Sequence, residues 1–185
     1  SGLFGKLQSL ESIEGLGNLR TAGVKNMSNM FRNCSRLTPL DLSKLDTGSV
    51  EYMNGMFANC INLTSLDLSK FDTKNVKYMN GMFVGSTILA SIVLSPSFDT
   101  KKVEDMSEMF SGCIGLTSLD LSSFDTKSVE DMSNMFRQCE LLTSLDLSKF
   151  DTGSVVNMNS MFYGCSRLTS LDLSSFDTKS VEDMS

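Results

Sequence analysis

The sequence predicts an α/β solenoid: a right-handed coil with a parallel sheet on its concave side and short helices outside. Three observations predict it. The pattern V-x-x-M-x-x-M-F-x-x-C-x-x-L-T-x-L-D-L-S-x-F-D-T-x-x recurs, with its valines at Val24, Val50, Val76, Val103, Val129, Val155 and Val181. One half of each copy alternates apolar and polar residues, while the other half spaces its apolar residues as a helix face does. Hydrophobic residues make up 41% of the chain, enough to fill a core once copies stack, although a single copy cannot bury its own apolar side.

Successive copies begin 26 residues apart, except the third, which is 27 long. Six copies are complete and a seventh stops at Ser185, so residues 24–185 read as the repeat array. The expectation is a piece of a longer array, because the last copy stops inside its Val-x-x-Met segment. Residues 1–23 read as a degenerate N-terminal capping repeat. There Leu3-Phe4, Leu10 and Ile13 echo Met56-Phe57, Leu63 and Leu66.

The strand comes from segments such as Leu116–Leu121, with the spacing L-x-x-L-x-L that marks a leucine-rich-repeat-like unit. Period two puts Leu119 and Leu121 inside and Ser118, Asp120 and Ser122 outside. The helix is expected over Ser128–Phe136, with Val129, Met132, Met135 and Phe136 on one face. Ser128 stands at the N-cap, with Asp131 three residues on. Asn33, Asn59, Gly85, Gly112, Gln138 or Gly164 follows each Met-Phe by two, and Gly and Asn tolerate the left-handed conformation that ends helices.

These blocks, Met135–Cys139 and Leu142–Thr152 in one copy, resemble the bacterial surface proteins with 26-residue leucine-rich repeats, the BspA-like family, common also in mycoplasmas. The resemblance implies an extracellular or cell-surface protein that engages a protein or glycan on a host or neighbouring cell.

Composition narrows the function classes. Twenty-two acidic against sixteen basic residues leave a net charge of −6, which opposes nucleic-acid binding. No histidine is present, removing the commonest general base and metal ligand. No apolar run is long enough to span a membrane. No glycine-rich phosphate loop or G-x-S-x-G occurs, and repetition singles out no one site, so no catalytic residue, metal ligand or cofactor is assigned and the chain is not expected to be an enzyme.

Stacking turns each position into a column. Cys34, Cys60, Cys113, Cys139 and Cys165, with Ser86 in the third copy, read as reduced core residues, because no C-x-x-C occurs. The methionines fill the core. Phe71, Phe98, Phe124, Phe150 and Phe176 read as an aromatic ladder, and the Asp-Thr pairs from Asp46-Thr47 to Asp177-Thr178 as capped turns.

The remaining column is the candidate binding stripe: Asp41, Asp67, Asp120, Asp146 and Asp172, flanked by serines such as Ser118, Ser122, Ser144 and Ser148, with Val93 interrupting. Like charges at sheet spacing repel. The expected counters are pairing with Lys44, Lys70 or Lys149, a cation such as calcium, a cationic partner, or plain solvation with slightly raised pKa values. In the third copy, Pro96 is expected to bulge the coil after its strand. A structural spacer presenting another domain and a cytosolic interaction module are the alternative functions.

Overall fold

Backbone amides tie each repeat to the next at matching positions. The computed structural model describes residues 2–95 and 97–185; the bulge expected at Pro96 lies outside them. Met27, Asn29, Phe31 and Asn33 donate their N–H groups to the carbonyls of Tyr52, Asn54, Met56 and Ala58 at 2.7–2.9 Å. The same alternate-residue pattern runs from the second repeat to the third and onward to Ser160, which donates to Ser185. Parallel bridges mark this ladder at Asn26, Tyr52, Tyr78, Asp105, Asp131, Asn157 and Asp183.

The intervening amides turn back on their own coil. Met30, Arg32 and Cys34 donate to Met27, Asn29 and Phe31, each three residues earlier. This segment is therefore a run of tight turns, and among the described residues the only helix is the 3₁₀ turn Leu16–Asn18. The expected short helices are absent among the described residues for a backbone reason. Two positions per repeat, five and nine residues after each valine, have φ between 50° and 78°; Asn29 and Asn33, Gly55 and Asn59, and Gly81 and Gly85 are examples. A left-handed residue every four positions breaks an α-helix. Turns of three residues still point Val50, Met53, Met56 and Phe57 inward, and all four are fully buried. Ser128 caps no helix: its hydroxyl donates to the Lys101 carbonyl, and Asp131 accepts the N–H of Ser133.

The expected continuous parallel sheet is also reduced. Among the described residues two strands pair, β1 (Ser65–Leu68) and β2 (Ser91–Leu94), in register Ser65–Ser91 to Leu68–Leu94. That register sets Asp67 beside Val93. A regular pairing of any other neighbouring repeats that both carry the strand aspartate would set carboxylate beside carboxylate, which disfavours the ladder. Sequence alternation nonetheless holds: Leu42, Leu66, Leu121 and Leu147 are buried, and the aspartates between the leucines are exposed.

One core runs the length of the chain. Its spine is a stack of seven phenylalanines, Phe4, Phe31, Phe57, Phe83, Phe110, Phe136 and Phe162, with centroids 5.4–6.0 Å apart and planes within 13°. Each such pair contributes roughly 0.5–1.5 kcal/mol beyond its burial. The long ladder is thus the Phe of Met-Phe. In the column expected to form it, Phe98 and Phe124 are the stacked pair among the described residues.

Beside the spine, the residues of the cysteine column each bond a carbonyl of the preceding repeat. The thiols of Cys60, Cys113, Cys139 and Cys165 donate to the carbonyls of Phe31, Phe83, Phe110 and Phe136 at 3.1–3.2 Å. Ser86 does the same to Phe57 at 2.8 Å, which explains how serine replaces cysteine there. Burial raises the thiol pKa values of Cys60 and Cys113 to about 12. All five cysteines are free.

Candidate functional site

In the acidic column, the same local structure is built five times. The sequence Asp-Leu-Ser folds so that Asp41, Asp67, Asp120, Asp146 and Asp172 each accept, through Oδ1, the N–H of the serine two residues on, at 2.8–3.0 Å. Such turns are a property of aspartate, whose short side chain reaches its own downstream backbone. All five aspartates are exposed, as are Ser118, Ser122, Ser144 and Ser148.

The slightly raised pKa values expected from mutual repulsion are not found; the shift runs the other way. The Ser43, Ser69 and Ser122 hydroxyls, and next their amides, hold Asp41, Asp67 and Asp120 below the usual aspartate value. At Asp146 and Asp172, the amides of Ser148 and Ser174 lead and their hydroxyls follow. Hydrogen bonds to the charged form outweigh the neighbouring carboxylates. The row is therefore ionised at neutral pH.

Of the serines, Ser122 and Ser148 are brought onto the aspartates, whereas no hydrogen bond joins Ser118 or Ser144 to them. Lys44, Lys70 and Lys149 lower the pKa values of Asp41, Asp67 and Asp146 through their field and form no ion pair with them. The ion pairs among the described residues are Lys25–Glu51, Arg36–Glu11, Lys74–Asp72 and Lys179–Asp177. No group of three histidine, cysteine or acidic side chains among the described residues is placed to share a metal ion.

The Asp-Thr column lies outside the stripe and is structural. Thr47, Thr73, Thr100, Thr126 and Thr152 are buried and donate to the carbonyls of Asp72, Asp99, Asp125, Asp151 and Asp177. Two hollows of about 420 and 550 Å³ sit at the first and last repeats, off the acidic row, and neither is lined by a carboxylate side chain. Sequence reading treated Val93 as a gap in the row. The structure adds that Val93 borders a cleft that Asp120 also lines.

A 26-residue repeat with an Asp-Leu-Ser turn in nearly every copy defines a repeat protein with an exposed acidic row. The chain belongs to the family described as "Mycoplasma protein of unknown function, DUF285", which matches residues 1–113 and again residues 90–185. No curated protein and no solved structure matches the chain.

Proposed function

We propose that this chain is a non-catalytic recognition and adhesion module on the bacterial cell surface. In this reading it is a repeat solenoid that binds a protein or glycan of a host or neighbouring cell through Asp41, Asp67, Asp120, Asp146 and Asp172. The observation that carries the reading is the row itself: an exposed, ionised carboxylate in the same turn in five repeats. Repeated identical charges suit an extended partner, because several weak contacts add along one surface. The resemblance to BspA-like surface proteins supports the cellular setting. Reaction chemistry finds no support, since no position in the row is set apart as a reacting centre.

The test is a binding screen of extracellular proteins and glycans against the full chain and a triple variant, Asp120→Asn, Asp146→Asn and Asp172→Asn. The variant is expected to lose most binding, and the remainder should be less salt-sensitive. Equal affinity of both proteins at every salt concentration would remove the acidic row from the function.

A spacer that presents another domain is the second reading. It is favoured by the uninterrupted inter-repeat bonding and by the phenylalanine stack, which join every repeat to its neighbours. It predicts no partner for the full chain in the same screen. Protease shaving of intact cells tests the setting: release of peptides from this chain supports the surface, and release only after lysis favours a cytosolic module.

A further inference from the structure

The third repeat interrupts the acidic row, and the interruption makes a place unlike the rest. Strand β2 presents Val93, 53% exposed, where five repeats have aspartate. Its neighbours Ile92 and Leu94 are only partly covered. No backbone hydrogen bond joins β2 to Ser118–Leu121 of the fourth repeat. Between them lies a cavity of about 390 Å³, whose lining includes Ile92, Val93, Leu94, Asp120, Ser122 and Ser123. The lining combines an apolar wall, one carboxylate and hydroxyls, with no basic side chain.

Asp120 shares the missing cation only with Asp172, which is likewise followed by a serine, Ser175, and only Asp120 stands beside the Val93 interruption. Asp41, Asp67 and Asp146 are each followed three residues later by a lysine, Lys44, Lys70 or Lys149, whereas Asp120 is followed by Ser123. The narrower hollow between the first and second repeats, about 160 Å³, already has Lys70 in its lining. Ser122 N–H donates to Oδ1 of Asp120 at 2.9 Å, and the exposed carboxylate, with about four lone-pair sites, keeps acceptor capacity for a further donor.

We propose that this cavity is a subsite for one cationic side chain of a protein partner, an arginine or lysine. Its aliphatic stem lies on Ile92, Val93 and Leu94, and its charged head meets the Asp120 carboxylate. Long cationic side chains favour such a setting, because stem and head want different surroundings and here find both. Arginine is the better fit, since its planar fork can bond the carboxylate and a hydroxyl together. The proposal deepens the recognition reading and rests on it: the subsite anchors a basic segment that the rest of the acidic row then follows.

The test is methyl NMR of the full chain, with labelled isoleucine, leucine and valine, titrated with N-acetyl-arginine amide, N-acetyl-citrulline amide and glucosamine. Arginine is expected to shift the Val93 and Leu94 methyls saturably, and citrulline, which keeps the shape without the charge, about tenfold more weakly. Asp120→Asn keeps the acceptor for Ser122 N–H and should weaken arginine binding about tenfold. Val93→Ser, at an exposed position, should weaken it about fivefold by removing part of the wall. Equal shifts by citrulline, or no effect of Asp120→Asn, would overturn the subsite. Arginine shifts spread evenly along the row would overturn the subsite and leave the acidic row standing as a recognition surface. An absence of any cation-induced shift would overturn both. Glucosamine shifting Val93 where arginine does not would replace the protein partner with a glycan.

Discussion

The Thr126 hydroxyl donates to the Asp151 carbonyl at 2.8 Å and accepts the N–H of that same residue at 2.8 Å. One buried oxygen thus satisfies both backbone groups of a residue 25 positions away in sequence. Thr47, Thr100 and Thr152 make the same reciprocal clip to Asp72, Asp125 and Asp177. No buried side-chain nitrogen or oxygen among the described residues lacks a partner.

Thr126→Val keeps the shape of that side chain and strips both bonds. It takes both hydrogen bonds from the Asp151 backbone, so it should cost about 1–2 kcal/mol in urea unfolding. Thr126→Ser keeps the oxygen and should recover most of the loss.

Gly55 has φ of 61°, and an added Cβ would lie 2.6 Å from Oδ1 of Asn29. Gly55→Ala should therefore destabilise by about 1–2 kcal/mol. Were the segment a helix, the same change would stabilise it by about 1 kcal/mol. The sign of the change in thermal midpoint separates the turn run from a helix, and far-ultraviolet circular dichroism should show little helical signal.

The buried thiols of Cys60 and Cys113, with pKa values near 12 against an ordinary 9.0, favour the neutral form in the folded state. Their contribution to stability is complete below pH 9 and is lost as the pH rises toward 12. Native protein at pH 8 should react slowly with a disulfide reagent, with the half-buried Cys165 ahead of Cys113. Rapid, equal labelling of all five before unfolding would contradict the burial.

Asp120 titrates below the ordinary 3.8, chiefly through the Ser122 hydroxyl and then its amide. Because the folded value is the lower one, the group adds stability above the ordinary value and loses it as the pH falls through the folded one. Ser122→Ala removes the leading cause, so the Asp120 carboxyl resonance should titrate closer to the ordinary value. An unmoved titration would assign the shift to the backbone amide alone.

Much of this was legible in the sequence, and the failures have one source. The period, the buried columns, the alternation of Leu66, Asp67 and Leu68 and the capped Asp-Thr turns follow from which side chains can be buried or can bond backbone. The helix was misread because turns of three residues bury Val50, Met53, Met56 and Phe57 at the spacing a helix also uses. The correcting signal was present: Asn29 and Asn33, then Gly55 and Asn59, then Gly81 and Gly85, recur four apart, and those residues tolerate positive φ. The acidic row was found, but its pKa direction was not. Charge repulsion can be read from a column, whereas the hydroxyl and amide of Ser122 act through a turn geometry that no spacing displays. The cavity beside Asp120 depends on how β2 and Ser118–Leu121 stand apart while the rest of the third and fourth repeats is bonded, which is a matter of three-dimensional fit.

The ladder that joins repeat to repeat also sets how the molecule yields when stretched. Among the described residues the backbone hydrogen bonds of the ladder link coils that are neighbours in sequence order, so a pull on the two ends of the array loads the outermost coil before any interior one. The chain should peel like a spring losing single windings. Each winding releases 26 or 27 residues, a gain in contour of roughly 90 Å at about 3.4 Å per residue. A force–extension trace would then carry evenly spaced teeth, while the coils still folded kept their carboxylates exposed.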